Sequence, residues 1–368
     1  MEPLHLLLAF LLLIPLPFFL YSEWMRRLLE KPWKPPGAPP RWPSVSLLIP
    51  THNEAGVIGE KLRNLAGLRY RGKLEIILVD SGSTDGTLEV VRRTLKRGFP
   101  FRVRLVEEKR KGGKARALNL GLRLVSGEVI ATSDADALWN PETVERAVSY
   151  LSQPEVGAVT GREVYLNAGE SLWTRAEGGY RRWYERMRMG ESRLHSSLSF
   201  QGALAFYRRE LFRRFEEEEA SDDTGTALEI CGKGYRCLMV PDLVFRDTAP
   251  STLRAFVRVK VRRGLHMLLG LRKAVVMKRE GRLPLPWPVI LFNLYLHFMV
   301  PFLFLLWVLL FLFSLPSSLL LLLPPSLFLL KRRTRALLAG FLVSTLCMVV
   351  AFFLFLKGEK MTNWRKWR

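Results

Sequence analysis

Apolar positions are distributed unevenly along the 368 residues, with long Leu, Phe and Val runs at both ends and a patterned middle between them. Leu4 to Tyr21 is one run, and a bilayer core is crossed by about 20 such residues in a helix. No Lys or Arg precedes it and no small-x-small cleavage site follows, so it reads as an uncleaved anchor and not a signal peptide. At the other end, Trp287 to Leu330 is nearly uncharged and long enough to cross twice, with a turn at Ser314-Leu315-Pro316-Ser317. Pro324-Pro325 shortens its second half. Leu337 to Leu356 follows the basic stretch Lys331 to Arg335, so two or three C-terminal spans are expected.

Between about Pro43 and Arg282, short β-rich runs alternate with helical patterns, which predicts one α/β domain. Ser44 to Ile49 is a strand ended by Pro50, and a helical pattern opens at Thr51-His52-Asn53-Glu54 and runs to Leu65. Leu74 to Val79 is the next strand, stopping at the turn-rich Asp80 to Thr87. Phe101 to Val106 and Val129 to Thr132 are further strands, with helices over Thr87 to Lys96 and Lys114 to Val125 between them. This β-α-β-α order predicts a parallel sheet, whose ligand crevice lies at the carboxyl ends of the strands. The domain boundaries expected are an anchor at 1–24, a Pro-rich linker at 25–43, the α/β domain at 44–250, a basic amphipathic segment at 251–286, C-terminal spans within 287–356 and a basic tail at 357–368.

Charge changes this picture in two ways. The formal net charge of +22 suits either a membrane surface or a nucleic acid, so its placement decides. Between Arg254 and Arg282 stand ten basic residues and one acid, interleaved with apolar positions and directly before a membrane run. That is an interfacial helix facing anionic lipid, and no nucleic-acid-binding motif accompanies it. Arg26, Arg27, Lys31, Lys34 and Arg41 follow the first span and favour a cytoplasmic catalytic domain at the plasma membrane. Lys331 to Arg335 and the tail Lys357 to Arg368 are also both basic, yet they flank one apolar segment and should lie on opposite sides if it crosses. Cys231, Cys237 and Cys347 have neither disulfide nor metal spacing and read as buried thiols.

The chemistry-bearing residues fall at the predicted strand ends. Asp134-Ala135-Asp136 can project two carboxylates from a tight turn, hard ligands for Mg²⁺ or Mn²⁺, though Asp-x-Asp also arises by chance in surface loops. Asp80 suits a nucleoside's hydrogen bonds or a helix cap. Lys111 to Asn119, with Gly112, Gly113 and Lys114, suits an anion or a solvated basic loop.

Taken together, these residues resemble the family 2 glycosyltransferases. The likeness rests on Pro-Thr-His-Asn-Glu at 50–54, Val-Asp-Ser-Gly-Ser-Thr-Asp-Gly-Thr at 79–87, Gly-Lys-Ala at 113–115, Ala-Leu-Asn at 117–119 and Asp-Ala-Asp at 134–136. It implies a GT-A (Rossmann-like) α/β fold, with a mostly parallel sheet flanked by helices, terminal transmembrane helices and an interfacial basic helix. Pro50, Thr51, Glu54 and Asp80 would line the nucleoside pocket, with Lys114 beside the donor. Asp134 would lie by the nucleotide and metal, and Asp136 would coordinate the cation. Ser199 to Arg209 looks like the acceptor-side segment, with Gln201, Gly202 and Asp222 facing the acceptor. Asp222-Asp223 stands where the family has Glu-Asp, which makes Asp223 the general base of an inverting transfer, or else a cap of the helix that follows.

Two departures matter. Ser81 replaces a common Asp in the second motif. The Gln-x-x-Arg-Trp of processive members is absent, the aligned residues being Val259-Lys260-Val261-Arg262-Arg263-Gly264. Arg262 and Arg263 could clamp a diphosphate or face lipid headgroups. The missing aromatic favours transfer of one sugar, from a UDP- or GDP-sugar to a membrane lipid or lipid-linked glycan. Processive polysaccharide synthesis and a catalytically silent scaffold are the alternatives. His52, His195 and His266 show no shared metal spacing.

Overall fold

The computed structural model describes residues 14–108, 112–217, 221–313 and 332–359. Residues 4–13 of the first apolar run, Lys111, the 314–317 turn, Pro324, Pro325, Lys331 and the tail beyond 359 lie outside these.

The chain opens with helix α1 (Leu16–Leu28). Strand β1 (Val45–Thr51), helix α2 (Ile58–Ala66), β2 (Leu74–Ser81), α3 (Thr87–Leu95), β3 (Arg102–Glu108), α4 (Lys114–Leu122) and β4 (Val129–Thr132) follow. Next come β5 (Leu138–Trp139), α5 (Thr143–Leu151), β6 (Val156–Tyr165), α6 (Leu172–Leu194), β7 (Ala205–Arg208), α7 (Asp222–Gly232) and β8 (Arg236–Asp247). The C-terminal part holds α8 (Leu253–Arg279), α9 (Trp287–Leu294) continued by a π turn at Tyr295–Met299, α10 (Val300–Phe313) and α11 (Arg332–Leu356).

Eight strands form one sheet in the order β3-β2-β1-β4-β7-β6-β8-β5. The first four run parallel, and β7 is antiparallel to both of its neighbours. β1 and β2 are buried at every position, because helices cover both faces of this half and a continuous apolar run serves better there than alternation. β3 closes the edge with Arg102, Arg104 and Glu107, charges that blunt an open strand. The parallel register pairs Thr51 with Asp80, so the ends of β1 and β2 lie side by side.

The helical pattern at Thr51 starts later than its sequence suggests. Asn53 takes a left-handed φ of 56°, its N–H donates to Ser83 Oγ, and the Ala55 N–H donates to Asp85 Oδ2, so the chain is held as a loop until Ile58. The long helix α6 begins at a capping box in which Ser171 Oγ accepts from the Thr174 N–H at 3.2 Å, a device worth about 1 kcal/mol.

α1 packs on α6 and α9 through Tyr21, stacked on Phe292 at 3.7 Å, and Met25. Trp287–Phe313 and Thr334–Leu356 are each long and apolar enough to cross a membrane. The basic segment is helix α8, laid along the catalytic domain. Lys260 is 2.6 Å and Arg263 2.9 Å from Glu177 on α6, and Lys273 is 2.8 Å from Glu229 on α7.

Candidate active site

The strand ends, the start of α4 and the start of α7 converge on one crevice. Thr51 Oγ1 donates to Asp80 Oδ1 at 3.1 Å, and the Ser83 N–H and hydroxyl reach the same carboxylate at 2.9 and 2.5 Å. Asp80 is thereby buried and fixed at the base of the β2 turn. The Glu54 N–H donates to Thr87 Oγ1, which ties the Pro50–Glu54 loop to the start of α3. Ser81, the departure in this motif, uses its hydroxyl to accept from the Gly112 N–H at 3.0 Å and to approach Glu108 at 3.3 Å. A hydroxyl here anchors the approach to α4, where a carboxylate would add a second negative charge beside Glu108.

Lys114, the first residue of α4, is the hub. Its Nζ lies 2.7 Å from Asp134 Oδ1 and 3.7 Å from Asp222 Oδ2, so one ammonium links the β4 turn to the start of α7. Burial would lower this amine, but Asp134, Asp222 and Asp223 outweigh burial and hold it above its ordinary value. Burial likewise pushes Asp134 up, and Lys114 followed by Arg262 brings it below the usual carboxylate range.

The two acids of α7 are placed differently. Asp223 accepts from Ser221 Oγ at 2.6 Å, the Thr224 N–H at 2.6 Å and the Gly202 N–H at 2.7 Å. Inside the first turn of α7 it takes the Thr224 N–H, and it also fixes the Gln201-Gly202 segment. A Cβ on Gly202 would meet Lys114 Nζ at 2.8 Å and Asp223 Oδ2 at 3.2 Å, so a larger residue here would displace both of these side chains. Asp222 makes no such set of bonds, and burial, offset by Lys114 and reinforced by Asp223 and Asp134, raises it to about 6. Gln201 Nε2 is buried without a hydrogen-bond partner among the described residues, a donor left for a ligand oxygen.

Of the two arginines expected at a diphosphate, Arg262 is brought to the crevice and Arg263 is not. Burial lowers Arg262, while Asp134, Asp222 and Asp136 favour its charge. Arg263 turns to Glu177, Tyr165 and Glu163 in a buried ion network between β6, α6 and α8. His195 caps α6 beside Ser196, in a separate hydrogen-bonding group with Arg236, and His52 Nδ1 lies 2.8 Å from the Ser81 carbonyl.

Two residues near the crevice escape a motif-based reading. Lys61 on α2 is fully buried beneath the Asp-Ala-Asp turn, donating to Ser133 Oγ at 2.6 Å and to the Ala137 carbonyl. Burial lowers it to about 7, against Asp134, Asp136 and Asp247. A lysine among Ile58, Leu62 and Leu65 on an apolar helix face is the signal that would have found it. His266 on α8, one turn beyond Arg262, is lowered to about 4 by burial and then by Arg262, so it is a neutral imidazole at pH 7.

Among the described residues no three His, Cys, Asp or Glu side chains form a metal cluster. Asp134 and Asp136, both half-buried at one turn, supply two hard oxygen ligands. Such a pair fits Mg²⁺ or Mn²⁺ when substrate phosphates and water complete the shell.

Residues 46–215 match the family described as Glycosyl transferase family 2. A mannosyltransferase from Pyrobaculum calidifontis, solved in complex with GDP-Man and Mn²⁺, superimposes with a TM-score of 0.81 at 32% identity, covering 95% of this chain and 97% of that one. A beta-monoglucosyldiacylglycerol synthase of Nostoc sp. is 35% identical over 150 residues, 40% of this chain and 32% of that protein's length. A probable glycosyltransferase of Bacillus subtilis is 28% identical over 298 residues, 72% of this chain and 66% of its own.

Proposed function

The chain belongs to glycosyltransferase family 2 and has the GT-A fold, and from that premise we propose that it moves one sugar from a nucleoside-diphosphate sugar to a membrane lipid or lipid-linked glycan, with inversion at the anomeric carbon. The observation that carries this reading is Lys114, 2.7 Å from Asp134 and 3.7 Å from Asp222, joining the donor-side acids to the acceptor-side acids across one crevice.

Pro50, Thr51, Glu54 and Asp80 form the nucleoside side. Asp134 and Asp136 would hold Mg²⁺ or Mn²⁺, which supplies charge neutralisation to the departing diphosphate. Lys114 and Arg262 add fixed positive charge at the same edge, preorganised where negative charge develops. Gln201 and Gly202 face the acceptor with Asp222. Asp223, oriented by the Gly202 and Thr224 N–H groups, takes the proton of the acceptor hydroxyl. The acceptor oxygen bonds to the anomeric carbon from the face opposite the phosphate. The carbon–oxygen bond to phosphate breaks, and the nucleoside diphosphate leaves with the electron pair.

The Pyrobaculum enzyme is solved with GDP-Man and Mn²⁺, which makes GDP-Man the first donor to test and UDP-sugars the second. The Nostoc relative is named for a glucosylated diacylglycerol, which supports a lipid acceptor. The two long apolar helices, Trp287–Phe313 and Thr334–Leu356, support a membrane-bound protein, and Arg26, Arg27 and Lys31 after the N-terminal apolar run favour a cytoplasmic active site at the plasma membrane.

Membranes containing the protein, incubated with radiolabelled GDP-Man or UDP-sugars and Mn²⁺ or Mg²⁺, are expected to carry label into the lipid extract. Chelation with EDTA should stop the transfer and added metal should restore it. Undiminished transfer in chelator would overturn the metal's role. Label that never enters lipid with any donor would overturn the acceptor class.

A further inference from the structure

Helix α11 is long and apolar enough over Thr334–Leu356 to cross a membrane. Its contacts tell against a crossing. Leu337 touches Gly179, and Gly340 would place a Cβ 2.7 Å from Ala176, both on α6. Ala336 is buried with Ala176 and Phe256. Further along, Gly264 on α8 would place a Cβ 2.7 Å from Met348, and Ala351 is buried with Leu265 and Leu268. As α11 advances from Ala336 to Ala351, its α8 partners advance from Phe256 to Leu268, so the two helices run side by side. Ala336 to Phe355 covers about 28 Å at 1.5 Å per residue, close to the full hydrocarbon thickness.

The helix beneath α11 is bound to the catalytic domain. Lys260 and Arg263 are held by Glu177 on α6, Lys273 by Glu229 on α7, and Met277 packs on Gly232 at the end of α7. Standing α11 upright in a bilayer would therefore carry α8 with it. Arg254, Arg258, Arg262, Arg272 and the underside of the catalytic domain would enter hydrocarbon, where each charge is costly.

We infer that α11 does not cross the membrane but lies in the plane of its interface, with the catalytic domain behind it and a lipid bilayer against its outer face. That face carries Leu338, Leu342, Leu346, Val350 and Phe353, exposed by 37–55% and spaced three or four residues apart, while Phe341 and Phe352 lie against Phe304 and Phe302 of α10. The basic flanks, which the positive-inside rule cannot reconcile with a crossing, then lie on one side with Arg332, Arg335 and Lys357 among anionic headgroups. A cavity of about 320 Å³ lined by Arg175, Arg182 and Arg332 opens at the start of the helix, matched in charge to those headgroups.

The inference stands apart from the sugar chemistry, but it bears on it. Gly264 and Leu268 face α11, while Arg262 and His266 lie on the opposite side of α8, toward the crevice. Two helix diameters, about 20 Å, separate the lipid surface on the outer face of α11 from the site.

Spin labels placed singly at positions 338, 342, 346, 350 and 353 of the full chain in proteoliposomes test the inference by collision with oxygen and a water-soluble nickel complex. An in-plane helix gives one shallow depth at all five positions. A spanning helix gives depth that rises to a maximum near position 346 and falls again, and that profile would overturn the inference. Arg332→Cys and Lys357→Cys, treated with a membrane-impermeant maleimide, should both react from the face bearing the catalytic domain. Reaction from opposite faces would equally overturn it. None of these side chains reaches the crevice, so lost sugar transfer in the wild-type vesicles would count against the proposed reaction and not against the helix.

Discussion

Asp223 stands in the first turn of α7, one residue inside the helix, and not at its cap. Three donors converge on its carboxylate, two of them backbone N–H groups, which fixes its direction and still leaves a lone pair for a proton. Asp223→Asn should keep donor binding, measured by titration with nucleotide-sugar, while lowering lipid labelling by about 10²–10⁴-fold, the usual span of a general base. Equal labelling in that variant would remove Asp223 from the role. Asp222 makes a separate prediction through its pKa, raised to about 6 by burial and by Asp223 and Asp134 against the pull of Lys114. The folded protein binds this proton more tightly than the unfolded chain, so the group's contribution to stability is greatest below about pH 4 and is lost as pH rises to about 6. Asp222→Asn should therefore raise the apparent melting temperature relative to wild type at pH 7, and the gain should shrink on acidification to pH 4. A difference independent of pH would mean that Asp222 is ordinarily ionised. The motif residues Asp80, Asp134 and Asp223 were legible because each sits at a strand end or helix start, where sequence order alone fixes the neighbourhood. Lys61 was legible only as a lysine on an apolar helix face, and its partner Ser133, 72 residues away, is encoded by no local spacing.

At the scale of elements, the parallel half of the sheet could be read directly, since β1, β2 and β4 carry the apolar runs Leu47–Ile49, Ile76–Val79 and Val129–Ala131, with Pro50, Asp80 and Thr132 directly after them. The antiparallel strand β7 between β4 and β6 could not, because its pairing is set by a long connection through α6 and not by any pattern within Ala205–Arg208. Helix α8 was foreseen as basic and amphipathic, yet its sequence does not divide its cations into those facing lipid and those facing protein. The division follows from Glu163 and Glu177, both buried, which take Arg263 while Glu177 also takes Lys260. Arg262, the preceding residue, is thereby turned toward the crevice. Glu177→Gln leaves two cations short of their partner and should cost roughly 3–5 kcal/mol. It should also raise the donor KM more than it lowers kcat, since Arg262 loses its support. Glu177→Leu combined with Lys260→Leu, which removes acid and base together, should recover much of the stability in thermal unfolding. Recovery of stability without recovery of the donor KM would separate the positioning of Arg262 from the integrity of the fold.

At the scale of the whole molecule, the crevice and the membrane-facing helices meet along α8, and this arrangement bears on how many sugars are added. A chain-extending enzyme must hold the growing sugar end at the site, commonly by stacking on an aromatic side chain. Here the stretch Val259 to Gly264 contains no aromatic residue, and its cations are divided between the ion network and the crevice. On the proposed reaction the acceptor would be held mainly by its own lipid, and no aromatic residue within Val259–Gly264 would retain the product's sugar end once the first bond has formed. Mass spectrometry of the lipid extract should accordingly show products heavier than the acceptor by one sugar, with the amount and not the length growing over time. Raising the donor concentration tenfold should leave that length unchanged. A ladder of masses, lengthening as donor is added, would mean that the sugar end is gripped elsewhere, and Gln201, with its unpartnered buried donor on the acceptor side, would be the first position to substitute in looking for that grip.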